Sequence, residues 1–130
     1  MDLRHVLLTV FAMACLLYHA PAPATNFGSV TYDEKLDKLI VEIAYRGTHA
    51  NHVFSIQWGE CRWLDDARFQ TYGLLVDSDP MDFAHQEFSK VLEIDMTSYP
   101  CRPARLTLRT ATGFNRSIEI PKPKPKPVSR

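Results

Sequence analysis

The chain alternates apolar and polar residues over short segments, a period of two that is typical of β-strands with one buried face. In the clearest segment every second residue is apolar, and these residues are Leu39, Val41, Ile43 and Tyr45. Its opposite face has Glu42 and Arg46. Weaker forms of the pattern predict six further strands, at residues 30–32, 52–58, 69–77, 88–96, 104–108 and 117–120. Segment 69–77 is apolar on both faces, so its register stays ambiguous.

Seven short strands with little helical periodicity predict an all-β fold, and a two-sheet antiparallel β-sandwich in preference to a barrel. The last strand follows a loop that contains Gly113, and glycine accepts the positive φ that such hairpin loops require. One short helical turn is predicted at residues 82–87, where Asp82 can accept hydrogen bonds from the first amides.

The first 24 residues have a cationic start, an apolar stretch at 6–18 and small residues up to Ala24. This pattern predicts a secretory signal peptide at residues 1–24, cleaved after Ala24. The apolar stretch is too short to span a bilayer comfortably. An uncleaved anchor and a lipid attached to Cys15 remain as alternatives. The prediction leaves a single β-sandwich domain at residues 25–120 and a disordered Lys/Pro-rich tail at residues 121–130.

Removal of the leader leaves Cys61 and Cys101 as the remaining cysteines. An exported protein meets an oxidising compartment, where an even pair without metal-type spacing forms a disulfide. The sequence therefore predicts one disulfide between Cys61 and Cys101. Closing a loop of this length is worth about 4 kcal/mol in the chain-entropy account.

At the level of architecture the chain resembles the immunoglobulin-fold superfamily. Tyr99, two residues before Cys101, resembles the Tyr-x-Cys before the sixth strand, and Trp58 resembles the core tryptophan of the third. Cys61 follows this tryptophan instead of preceding it, and Pro103 lacks an amide that a central strand would use. In an immunoglobulin-like sandwich the third and sixth strands are antiparallel neighbours, so the resemblance implies that Cys61 lies beside Cys101. The resemblance implies no activity.

The near-neutral total charge conceals an asymmetry between the body of the chain and its end. Residues 25–121 contain ten Lys and Arg against fourteen Asp and Glu, so their net charge is −4. This acidic balance predicts no nucleic-acid partner. The basic tail is expected to be an extended spacer of about 28 Å over nine residues. Weak contact of its lysines with anionic surfaces is the alternative.

Two histidines on a predicted turn, His49 and His52, are candidate ligands for Cu or Zn. His85 or a carboxylate would complete the ligand set. The alternative is a partly buried His52 with one hydrogen bond, because its face of the strand also has Phe54 and Ile56.

Three carboxylates follow one another closely at Asp77, Asp79 and Asp82. Oxygen ligands of this kind suit Ca²⁺. The segment lacks the glycine and the distal glutamate of a helix–loop–helix calcium site, and Asp-Pro is also ordinary turn chemistry. A calcium site and a plain turn are the two interpretations.

Arginine and aromatic residues cluster around the first bridge cysteine and in the last hairpin. They are candidate binding residues because Arg and aromatic side chains anchor interfaces when exposed. The residues are Arg62, Trp63, Arg68 and Phe114. The alternative for Trp63 is packing over the disulfide.

The sequence has no nucleophile elbow, no zinc-protease helix motif and no phosphate-cradling glycine loop. We therefore expect a non-enzymatic bacterial protein, periplasmic or secreted, without a cofactor. It is expected to bind another protein or an envelope polymer, for example as an inhibitor of a secreted enzyme. A periplasmic copper or zinc binder built on His49 and His52 is the alternative, and a small hydrolase is a third interpretation.

Overall fold

A computed structural model describes residues 25–64, 66–125 and 127–128. Seven strands follow one another: β1 (Asn26–Asp33), β2 (Lys38–Gly47), β3 (Phe54–Leu64), β4 (Arg68–Asp77), β5 (Gln86–Asp95), β6 (Ala104–Thr110) and β7 (Asn115–Ile120). The predicted signal peptide at 1–24 lies outside the described residues. Among those that are described, no helix is long and apolar enough to cross a membrane.

The strands form two sheets, one of three strands in the order β1-β2-β5 and one of four in the order β3-β4-β6-β7. This arrangement confirms the predicted all-β, two-sheet sandwich. The inward residues of β2 were predicted correctly, and those of β6 lie opposite them. They are fully buried in the core between the sheets, and they include Leu39, Val41, Ile43, Leu106 and Leu108.

The predicted pairing of the third and sixth strands is wrong. Strand β4 lies between β3 and β6, and it pairs with β6 in parallel. Apolar residues on both faces suit β4 to this central position: Leu75 points into the core, whereas Leu74 and Val76 lie on the outer face. The register that the sequence left ambiguous is thereby fixed.

The predicted disulfide is present in spite of this different strand order. Cys61 on β3 is bonded to Cys101, and their Cα atoms are 6.0 Å apart. The bridge spans β4, where Thr71 pairs with Cys61 and shares a 2.7 Å hydrogen bond with the hydroxyl of Tyr99. The bond therefore joins β3 to the segment that leads into β6.

Close approach within the core requires glycine at position 73 of β4. A Cβ atom there would lie 2.7 Å from Ile56 and 2.8 Å from Leu108. Gly113 is needed for a different reason, because the β6–β7 hairpin gives it a φ of 99°. That residue has the conformation that the hairpin prediction required.

The predicted helical turn at residues 82–87 is wrong. A turn at Pro80 and Met81 is followed by irregular chain until β5 begins at Gln86. The physical reason is a tertiary contact: Asp82 accepts hydrogen bonds from the backbone and hydroxyl of Thr48, at 2.7 Å each. The carboxylate contacts a distant loop instead of a helix start.

A buried arginine closes the end of the sandwich near the disulfide. Arg102 donates to Asp37 and to the carbonyl of Met96, both at 3.0 Å, and to the hydroxyl of Tyr32 at 2.9 Å. It also donates to the carbonyl of Pro121 at 2.9 Å, which holds the start of the tail. The hydrogen bond from Arg102 lowers the pKa of Asp37 below its usual value.

Candidate functional site

One outer face of the sandwich is rich in arginine. Facing residues of neighbouring strands share one side of a sheet, so the pairings Gln70–Arg105 and Leu74–Arg109 place both arginines on the outside of the four-stranded sheet. We call this surface the arginine face. It comprises Arg62, Arg68, Arg105 and Arg109 with Gln70, Tyr72, Leu74 and Val76.

The arginine face combines positive charge with exposed aromatic and aliphatic area. Among the paired residues on the outside of this sheet, the acidic one is Glu119. Its carboxylate accepts hydrogen bonds from Arg68 at 2.7 Å and from Arg105 at 2.9 Å. The guanidinium of Arg109 lies 4.7 Å from the ring centroid of Tyr72. Glu60 lies in the β3 bulge and pairs with no residue of β4. Asp66, outside the strand pairings, lies 2.6 Å from Arg68, so the four arginines face the carboxylates of Glu119 and Asp66.

The opposite outer face, on the three-stranded sheet, has the reverse charge. Its strand pairings place acidic residues on the outside, accompanied by Lys38 and Arg46. These acidic residues are Asp33, Glu42, Glu87, Glu93 and Asp95. The acidic total of residues 25–121 therefore conceals one basic face, because the charges are segregated between the two sheets.

The structure separates the four residues predicted to bind a partner. Arg62 and Arg68 belong to the arginine face, whereas Trp63 lies on the inner side of β3 at the sheet end. Trp63 is 56% exposed and packs edge-on against Phe69 at 4.7 Å between ring centroids. Phe114 lies in the β6–β7 hairpin, at the opposite end of β6. Side chains of these four residues therefore do not form one surface.

A histidine–aspartate cluster lies at the end of the sandwich where β2 ends and β5 begins. His49, His52, Asp79 and Asp82 each offer one ligand atom, and these atoms all lie within 4.8 Å of one another. The β2–β3 and β4–β5 loops supply them. Val53 and Ser78 tie these loops together with two hydrogen bonds of 2.9 Å.

His52 lies at the centre of this cluster and is only 1% exposed. Its Nδ1 lies 2.9 and 2.8 Å from the two carboxylate oxygens of Asp77, and its Nε2 lies 2.9 Å from Asp82. Burial lowers the pKa of His52, but the bonds to Asp82 and Asp77 outweigh it and the pKa lies above its ordinary value. The buried ring therefore lies between two carboxylates and has more than the one hydrogen bond of the alternative interpretation.

The sequence placed these residues in two separate candidate sites, and the fold brings most of them together. Two of the predicted histidines, His49 and His52, join Asp79 and Asp82 of the predicted calcium segment. His85 is exposed and is not a member of the cluster. The sequence did contain one indication of this contact. When successive strands alternate in direction, the loops after the second and the fourth strand lie at the same end of the sandwich.

Comparison of the chain with protein-family models, with curated proteins and with solved structures found no match.

Proposed function

We propose that this protein is an exported recognition module that binds the acidic surface of another protein through its arginine face. The observation that supports this function is the grouping of four arginines with Tyr72, Leu74 and Val76 on one outer face. Tyrosine and arginine are the residue types that most often dominate binding energy at protein interfaces. An oxidising compartment, which the disulfide suits, agrees with export.

The geometry of the face suits recognition of a flat, acidic partner. Tyr72, Leu74 and Val76 follow one another at every second position of β4, so their side chains form a row across the middle of the face. Arginines flank this row on the neighbouring strands. Such a surface offers apolar area at its centre and charge around it, which steers an acidic partner into place.

The rigidity of the face lowers the cost of binding. Its central strands, β4 and β6, are paired on both sides, and β4 is joined to the disulfide region through Thr71. Arg109 is already stacked on Tyr72, and Arg105 is already held by Glu119. Side chains ordered before binding lose less conformational entropy when the partner arrives.

The test compares charge reversal on the face with the same charge change elsewhere. The protein is immobilised and exposed to nuclease-treated extract of the exported fraction at near-physiological salt. The double variant Arg62→Glu, Arg109→Glu should lose at least about 90% of the retained partner, because like charges at an interface repel. The matched control, Lys122→Glu with Lys124→Glu, makes the same charge change in the tail and should retain it.

Three outcomes would overturn the proposal. Wild-type protein that retains no partner at this salt concentration has no such function. Equal loss in the face and tail variants would indicate non-specific attraction to anions. A retained partner that proves to be a polysaccharide or a lipid, with no protein component, would assign the face to another class of ligand.

A further inference from the structure

We propose that the histidine–aspartate cluster binds one Zn²⁺ ion through His49, His52, Asp79 and Asp82. This inference does not depend on the arginine face. That face lies on the outside of the four-stranded sheet, whereas the cluster lies in loops at one end of the sandwich. Two imidazoles and two carboxylates supply four nitrogen and oxygen ligands, the number that a tetrahedral zinc site uses. Loops β2–β3 and β4–β5 contribute two ligands each.

The spacing of the ligand atoms is close to that of a formed site. Zinc–nitrogen and zinc–oxygen bonds of about 2.0–2.1 Å place tetrahedral ligands about 3.3 Å apart. His52 Nε2 lies 2.9 Å from Asp82, and His49 Nε2 lies 3.4 Å from Asp79. The widest spacing, 4.8 Å, can close through His49 and Asp79, whose side chains are 44% and 47% exposed. His49 then gives up the 3.1 Å bond that its Nδ1 accepts from the amide of Asn51, because zinc on Nε2 leaves the ring proton on Nδ1.

The second nitrogen of His52 has the partner that a metal-bound histidine usually has. Metal-ligating histidines donate their other ring N–H to a carboxylate, which fixes the ring orientation and raises the basicity of the ligating nitrogen. Asp77 accepts from Nδ1 with both oxygens in this way, and Nε2 is thereby directed at Asp82 and the other ligands. This orientation is an observation independent of the ligand spacing.

The scaffold holds the ligands in place on both sides. Asp82 accepts from the backbone and hydroxyl of Thr48, the residue next to His49. Lys90 donates to the carbonyl of His52 at 2.5 Å. Hydrogen-bonded ligands of this kind lose little freedom when an ion binds.

The charge balance favours a divalent cation. Asp77, Asp79 and Asp82 place three carboxylates around the cluster, and Lys90 lies beside it as a cation. Zinc would bind His52 through Nε2 in place of its hydrogen bond to Asp82, and any proton on that nitrogen would pass to solvent. The exchange exposes no new polar group, because the ion takes the place of the hydrogen bond between His52 and Asp82.

The ligand types distinguish zinc from other divalent ions. Ca²⁺ takes six to eight oxygen ligands and Mg²⁺ an octahedral oxygen shell, and two imidazoles suit neither ion. Cu²⁺ also accepts imidazole and carboxylate, but it prefers a square or tetragonal arrangement. We assign zinc because two imidazoles and two carboxylates supply the four ligands of a tetrahedral site.

The test is calorimetric titration of metal-free protein with ZnCl₂ at neutral pH. Wild-type protein should bind one ion with a Kd in the micromolar range or tighter. His49→Ala and Asp79→Asn, both at exposed side chains, should weaken binding by at least about tenfold, and Asp77→Asn by about 10–100-fold. The matched control His85→Ala changes a histidine outside the cluster and should leave Kd unchanged.

Circular dichroism of each variant verifies that the fold persists. Absence of saturable zinc binding to wild-type protein would overturn the proposal, as would an equal loss in the His85→Ala and His49→Ala variants. Displacement of zinc by equimolar Ca²⁺ would also contradict it. Cobalt(II) should give the intense visible absorption of a tetrahedral centre, and an octahedral spectrum would contradict the assigned geometry.

Discussion

Replacing Arg102 with alanine is expected to lower the free energy of unfolding by about 3–5 kcal/mol, the cost of removing one partner from a buried ion pair. Arg102 is only 8% exposed and donates to Asp37, Tyr32, Met96 and Pro121. Alanine would leave Asp37 with only the hydroxyl of Tyr32 and the carbonyl of Met96 with only the amide of Tyr99, and both would lose the charged donor that Arg102 supplies. Chemical denaturation at neutral pH measures the change. Since small domains are stable by about 5–15 kcal/mol, the loss is a large part of the total.

The control is Arg105→Ala, which removes an exposed arginine bonded to Glu119 and should cost about 1 kcal/mol or less. A pH series adds a second check. The pKa of Asp37 is lowered in the folded state, so the stabilisation is present above the unfolded value of about 3.9 and is lost as pH falls through the folded value. The gap between wild type and Arg102→Ala should therefore shrink in acid. Equal costs for Arg102→Ala and Arg105→Ala would contradict the account.

Removing the disulfide by Cys61→Ala with Cys101→Ala is expected to cost about 2–5 kcal/mol. The bridge closes a loop between residues 40 apart in sequence, so its loss increases the entropy of the unfolded chain. In a domain of this size, each kcal/mol corresponds to about 4–8 °C in Tm. Thermal and chemical denaturation of the double variant and the oxidised wild type give the difference.

Reduced wild-type protein provides the matched control for the two alanines, because it loses the bond and keeps both sulfurs. Its midpoint should lie close to that of the double variant. A reduced protein as stable as the oxidised one would show that the bridge contributes nothing. Reaction of the native oxidised protein with two equivalents of a thiol reagent would rule out the bond itself.

The strands were predictable where the alternation is strict. Strand β2 has apolar residues at every second position, and Leu39, Val41 and Ile43 are buried as this pattern indicates. The strand order was not predictable, because β4 has apolar residues on both faces and its neighbours depend on packing across the whole domain. The wrong pairing of the third and sixth strands arose there.

The arginine face could not be predicted either, because the sequence did not show which strands pair with β4. Arg105 and Arg109 alternate with the buried leucines of β6, but their grouping with Tyr72 and Leu74 depends on the parallel pairing of β4 with β6. Net charge over the whole body gave no indication of it, since the acidic residues of the other sheet outweigh the arginines. A surface assembled from three strands, β3, β4 and β6, has no local signature.

The histidine–aspartate cluster could be predicted only in part, because local sequence patterns do not indicate contacts between distant loops. His49 and His52 were identified from their spacing, and Asp79 and Asp82 from theirs, but the contact joins residues about 30 positions apart. The predicted helical turn failed for the same reason: the Asp82 side chain has shorter bonds to Thr48 and His52, at 2.7 and 2.9 Å, than the 3.4 Å bond that it accepts from the local amide of Ala84. Local propensity is overridden when a distant loop supplies stronger partners.

Hydroxyl-radical footprinting of the protein bound to its captured partner tests whether the arginine face is the recognition surface. Tyr72 and Leu74 should lose most of their oxidation in the complex. Trp63 and Phe114, at the two ends of the sandwich, should be oxidised as in the free protein. Protection of Trp63 or Phe114 with Tyr72 unchanged would contradict the account and assign recognition to the ends of the sandwich.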